Sequence, residues 1–154
     1  MKELLDIKGK DKGPGGALSN FAPHSFKIDG VECASMEGFL QSLKTPSIKK
    51  QRRVCALVGV KAKNAFRYSP RRYLFLKTHT VYWQGRKIDR MSPEYDALIS
   101  RAYDALFENE DFKRALALSK DKHLLHSRGK AKKSETVLTE EEFIFHLLRL
   151  SDKL

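Results

Sequence analysis

Spaced by its apolar residues, the chain divides more readily into helices than into strands. Tyr95, Leu98, Ile99, Ala102, Leu106 and Phe107 recur at i, i+3, i+4 and i+7, behind the cap, proline and early acid of Ser92-Pro93-Glu94. This spacing predicts a helix to about Phe107, and Phe112, Ala115 and Leu116 predict a shorter one near 110–118. Thr139-Glu140-Glu141-Glu142 reads as a capping box for a last helix that buries Phe143, Leu147 and Leu150. Another helix is expected from about Ile48 to Val58, stopped by Gly59. It would turn Val54, Cys55, Leu57 and Val58 inward and Lys49, Lys50, Arg52 and Arg53 outward. Ser35 can cap a further helix, Met36 to Lys44, with Met36, Phe39, Leu40 and Leu43 on a broad apolar side.

Strand signals are shorter. Leu4 to Ile7 reads as a first strand, and Gly9 to Gly16, with four glycines and a proline, as a loop. Ser25 to Ile28 and Val31 to Cys33 flank Asp29-Gly30, a hairpin signal. Thr78 to Trp83 turns at Gln84-Gly85 into Arg86 to Asp89, and His123 to His126 reads as a short buried strand. Four to five helices and a few short strands, without βαβ alternation, predict a mostly helical α+β fold in one domain spanning residues 1–154.

Composition narrows the setting. No run approaches the roughly 18 apolar residues of a membrane span, and the first residues lack the apolar core of a signal peptide, so a soluble cytoplasmic protein is expected. Cys33 and Cys55 form no CxxC and stand near no histidine at metal spacing, so neither a metal nor a disulfide framework is expected. Charge is uneven: residues 1–77 carry 16 Lys/Arg against 6 Asp/Glu, residues 78–154 carry 14 against 13. An excess of that kind favours an anionic partner, nucleic acid or a phosphorylated small molecule, although it also serves solubility.

The candidate chemistry gathers on the Met36–Lys44 helix. Glu37, Gln41 and Lys44 stand at i, i+4 and i+7 and form one polar stripe. Such a stripe can line a pocket or face solvent, and the helix alone leaves both open. GxSxG, HExxH and the phosphate-loop patterns are absent.

Several segments in order then carry a resemblance: Leu18-Ser19-Asn20-Phe21-Ala22-Pro23, the hairpin at Asp29-Gly30, Ser35 through Lys44, and Gly59-x-x-Ala62-Lys63. Val81-Tyr82-Trp83-Gln84-Gly85, Ala102 to Phe107 and His126-Ser127-x-Gly129 continue it over nearly the whole chain. Together they resemble the NADAR superfamily, whose members act on NAD- and ADP-ribose-related compounds. The resemblance implies an N-glycosidic hydrolase without a cofactor; some relatives cleave early riboflavin-pathway intermediates, others remove ADP-ribose from guanine. It implies Lys44 and Glu37 as the catalytic pair and turns the polar stripe towards a pocket. Lower in weight, Asn20 would meet ribose hydroxyls, Phe21 and Trp83 would stack on a base, and Gln41 would orient the pair. Lys63 and the Ser127–Gly129 loop, with His126 at its start, would take phosphate. The chain departs from relatives that end the pocket on a Trp-Gly segment, having His126 to Lys130 instead, and it adds the Val81–Asp89 hairpin; both bear on substrate choice. The basic first half favours ADP-ribosylated nucleic acid as the partner over a free riboflavin intermediate. A non-catalytic binder of ADP-ribose-type nucleotides and a basic nucleic-acid-binding protein are the alternative readings.

Overall fold

The computed structural model describes residues 2–154. In chain order the elements are β1 (Glu3–Asp6), α1 (Pro14–Leu18), β2 (Phe26–Ile28), β3 (Val31–Cys33), α2 (Met36–Ser42), α3 (Ile48–Cys55) and α4 (Gly59–Lys63). They continue with α5 (Pro70–Thr78), β4 (Thr80–Trp83), β5 (Arg86–Asp89), α6 (Pro93–Leu106), α7 (Glu110–Leu118), β6 (Lys122–Leu125) and α8 (Glu140–Ser151). The fold is α+β. Its strands form three two-stranded sheets, β2–β3 and β4–β5 antiparallel and β1–β6 parallel. No helix among the described residues is long and apolar enough to cross a membrane.

Among the described residues, eight helices replace the four or five expected. The additional ones are short. Pro14 at a first-turn position starts α1 inside the glycine-rich stretch read as a loop. Helix α3 ends at Cys55 rather than Val58, and Gly59, at φ +56°, opens α4 instead of closing α3. Val58 is accordingly exposed, and the inward position goes to Gln51. Both hairpins turn through two residues of positive φ, Asp29-Gly30 and Gln84-Gly85, as tight antiparallel connections require.

Helix α2 is held from every side. The Ser35 hydroxyl accepts from the Gly38 N–H at 3.0 Å and donates to the Leu57 carbonyl at 2.8 Å, so one side chain caps α2 and ties it to the α3–α4 link. A Cβ on Gly38 would stand 2.6 Å from the Leu57 carbonyl oxygen and 2.9 Å from that of Val54, so only glycine permits this approach. At the other end, buried Gln51 donates to the carbonyls of Ser42 (3.0 Å) and Tyr82 (2.8 Å) and accepts from Gln84 N–H (2.9 Å). The Tyr82 N–H donates to the Leu43 carbonyl at 2.8 Å. The β4–β5 hairpin therefore clasps the C-terminal end of α2 and fixes where Lys44 begins. Met36, Phe39, Leu40 and Leu43 are buried as expected, in one core with Tyr95, Leu98, Phe112, Phe143 and Leu147.

Candidate functional site

The polar stripe of α2 faces a cavity of about 710 Å³, within the roughly 300–1,000 Å³ typical of ligand sites. Glu37, Gln41 and Lys44 all line it. The second wall is α4, the following turn and α5, through residues such as Lys63, Phe66, Arg72 and Phe75. A third wall comes from 135–139, and the floor from Asn20, Phe21, His126 and Phe143. Its lining carries eight Lys/Arg and only two acids, Glu37 and Glu135, so the space suits an anion.

Within the cavity, Gln41 Nε2 donates to Glu37 Oε1 at 3.0 Å, while Gln41 Oε1 is buried with no protein partner among the described residues. Glu37 and Lys44 form no direct ion pair, and Lys44 Nζ donates to no protein acceptor there. Burial pushes the Glu37 carboxyl above its ordinary value, and the Gln41 hydrogen bond with Lys44, Lys63 and His126 only partly offsets it. Burial pulls the Lys44 amine below its ordinary value; Glu37 opposes this, and Lys130 and Arg72 add to it. Both groups are thus shifted towards their neutral forms.

A relay from the core sets the edge of the site. The Tyr103 hydroxyl donates to Asn20 Oδ1 at 2.8 Å, and the Asn20 carbonyl accepts from Glu37 N–H at 2.9 Å. Tyr103 itself stacks on His146, ring centroids 4.9 Å apart. Burial holds the Tyr103 hydroxyl well above its ordinary value, so it stays a donor. His126 Nδ1 lies 2.8 Å from the Ile7 carbonyl. A carbonyl only accepts, so Nδ1 donates to it and the ring is held with Nε2 turned away from Ile7. The 135–139 wall hangs on fully buried Arg90, which donates to the Thr136 carbonyl at 2.9 Å and to both Glu142 carboxylate oxygens. Tyr95 reinforces it by donating its hydroxyl to the Val137 carbonyl.

Of the residues singled out in the sequence, Glu37, Gln41, Lys44, Asn20, Phe21, Lys63, His126 and Gly129 are brought together at the cavity. Two are not. Trp83 is buried away from it, edge-on to Phe39 at 5.1 Å and donating Nε1–H to Asp29 at 2.9 Å, so its faces are not free to stack on a base. Ser127 does not line it either: its N–H and hydroxyl both bind the Asp6 carboxylate. Gly129 reaches the wall, but its N–H is taken by the His126 carbonyl at 2.9 Å, so the loop offers no phosphate nest of the kind expected. The cations of that loop, Arg128 and Lys130, line the cavity in its place. Sequence reading passed over Phe66, Arg72 and the 135–139 wall. Arg67 and Arg72 belong to a basic stretch whose spacing carries no mark of a cavity-facing side.

The profile of bacteriophage protein GP30.3 matches residues 12–152. The chain belongs to the bacteriophage GP30.3 family. An uncharacterized 17.1 kDa protein from the Gp30-rIII intergenic region of Enterobacteria phage T4 is 39% identical over 152 residues, 97% of this chain and 98% of that protein. This GP30.3-family chain also shares its fold with the E. coli protein YbiA, whose NMR structure superposes at a TM-score of 0.62 with 17% identity, over 99% of this chain and 86% of that one. The α+β fold implied by the resemblance is therefore present, and it is the fold of YbiA.

Proposed function

We propose that the cavity is the active site of an N-glycosidic hydrolase for a phosphorylated ribosyl substrate, and that it removes ADP-ribose from modified guanine in nucleic acid. The observation that carries this reading is one arrangement: a carboxyl and an amine desolvated in the same cation-lined cavity, the carboxyl hydrogen-bonded by the Gln41 amide rather than neutralised by the lysine. A merely structural pair buried that deeply would be joined in an ion pair, since burying unpaired charge is costly.

The chemistry uses the neutral forms towards which burial shifts both groups. When the ribose ring opens, the glycosidic nitrogen's lone pair makes C1 iminium-like, and neutral Lys44 adds to it. The opened ring oxygen takes the proton that the lysine nitrogen gives up as it bonds to C1. Protonated Glu37 supplies the proton with which the base leaves, and C1 remains bound to Lys44 as a protonated Schiff base. Ionised Glu37 then takes a proton from the water that adds to C1. Collapse returns the lysine amine and releases an aldehyde sugar that recloses. The sum is one water consumed, one C–N bond broken and one C–O bond formed. Gln41 Oε1, unsatisfied in the protein, is left for a substrate donor. Lys63, Arg72, Arg128 and Lys130 balance the phosphates, and Phe21 offers an apolar floor.

The test is incubation with ADP-ribosylated guanosine, ADP-ribosylated oligonucleotide and phosphoribosyl riboflavin-pathway intermediates, reading released sugar by mass spectrometry. Borohydride added during turnover should leave a reduced sugar adduct on Lys44. Tight binding of ADP-ribose with no turnover of any of these compounds would instead make the protein a sensor.

A further inference from the structure

From Gly38 to Ile88 the chain holds thirteen Lys/Arg and not one Asp or Glu. Ten of these cations lie on α3, α4, α5 and the turns between them. Among the described residues none of the ten enters an ion pair, although acids elsewhere pair nine times. Two tyrosines within this acid-free stretch are exposed, Tyr68 at 91% and Tyr73 at 66%. Each adjoins a cavity-lining arginine in sequence and lies beneath it, with Arg67 Cζ 5.4 Å from the Tyr68 ring centre and Arg72 Cζ 5.9 Å from that of Tyr73. Neither tyrosine lines the cavity, but each stands beside an arginine that does.

We infer that the α3–α5 face docks single-stranded nucleic acid, its phosphates on Lys49, Arg52, Arg53 and Lys61 and its bases on Tyr68 and Tyr73 at the mouth of the cavity. Unpaired cations without acids between them make a continuous positive track, to which a polyphosphate chain binds by releasing counterions. Exposed aromatic rings with arginines beside them are stacking platforms for bases whose faces are free, and this selects a single strand over a duplex, whose bases are already stacked. Neither ring belongs to the core, so both are free to meet a ligand. This inference rests on the glycosidase reading only for its purpose, delivery of a modified base to Lys44; the docking itself concerns unmodified strand.

The experiment measures fluorescence anisotropy of a labelled 12-nucleotide single strand, the matching duplex, an inorganic polyphosphate of equal length and anionic lipid vesicles, each across a salt series with the full chain. The single strand should bind tightest. Tyr68→Ala and Tyr73→Ala should each weaken it by about 5- to 150-fold, the range for loss of one stacked base, and leave polyphosphate binding unchanged. Arg52→Gln and Arg53→Gln should each lower the salt slope for the single strand by about 0.7. Equal loss for polyphosphate and strand, a preference for duplex or vesicles, or no loss in the tyrosine variants would overturn the docking face. Hydrolysis of ADP-ribosylated guanosine, which is too small to use the track, is read in parallel and should be unaltered in Tyr68→Ala/Tyr73→Ala. Turnover of that nucleoside without strand binding rejects the docking face alone. Strand binding with no turnover of any substrate upholds the docking face and rejects the glycosidase reading.

Discussion

Two acid–base pairs are buried in this molecule, and they are treated in opposite ways. Arg90 and Glu142 meet in a two-pronged contact, with the Thr136 carbonyl and Thr139 N–H taking up further hydrogen-bonding capacity. Burial alone would raise the Glu142 carboxyl, yet the Arg90 fork and the Thr139 amide outweigh it and keep the group ionised. Glu37 and Lys44 are partly buried without an ion pair between them among the described residues, and burial wins on both. The first pair stabilises a wall; the second is held ready to change protonation state. The lesson is that burial by itself does not make a charged residue reactive. What matters is whether the fold supplies the opposite charge.

The largest expected effect that tests this contrast is on Lys44. Lys44→Ala should reduce hydrolysis by about 10⁴-fold or more, as removal of a nucleophile does, while circular dichroism and melting temperature stay at or above wild type. Measured single-turnover rates near wild type would remove the amine from the reaction.

Glu37→Gln comes next, with kcat lower by about 10²–10⁴-fold for the lost proton transfer. The same change should raise the melting temperature at pH 7. Glu37 has a folded-state value above its unfolded 4.5, so the folded state binds more protons there and stability falls as pH rises through that window. The gain from glutamine should vanish below pH 4.5, where the carboxyl is neutral in both states. In the active enzyme, the acidic limb of the rate profile should lie above 4.5 and the alkaline limb below 10.5, both displaced inward.

Breaking the paired site should do the reverse. Arg90→Met leaves Glu142 buried and uncompensated and should cost about 3–5 kcal/mol, read by urea unfolding, with Arg90→Met/Glu142→Leu recovering much of the loss. If the single variant lost activity but not stability, the distinction drawn between the pairs would collapse.

The smallest effect concerns His146, buried against Tyr103 and beside Arg149, its ring value lowered to about 4 chiefly by burial. A lowered value means that the unfolded chain takes up the proton first on acidification. Stability is therefore retained above pH 6.5 and lost as pH falls towards about 4, by up to about 3 kcal/mol. Unfolding midpoints of wild type and His146→Gln, compared at pH 7 and pH 4.5, check the slope.

Much of the scaffold could be read from spacing because its signals are local. Ser92-Pro93, the Thr139 capping box and the two turns with glycine announce α6, α8 and the hairpins, and the alternation of Met36, Phe39, Leu40 and Leu43 announces α2. Helix α5 could not be read this way: it buries only Phe75 of its nine residues, so it carries no amphipathic pattern. It roofs a cavity rather than packing on a core. The pair on α2 was legible because one helix holds both residues. The fates of Trp83 and Ser127 depended on Asp29 and Asp6, partners 54 and 121 residues away, and no local spacing reports such contacts.

The parallel pairing of β1 with β6 has a temporal consequence. His126 and Ile7, which meet across it, are 119 residues apart, and synthesis at about 5–20 residues per second separates their appearance by on the order of 10 s. Until then Ile7, fully enclosed in the finished molecule, has no neighbour to cover it, and the floor beneath Glu37 is missing. The cavity is thus closed only once residues 119 positions apart have both been made and have met.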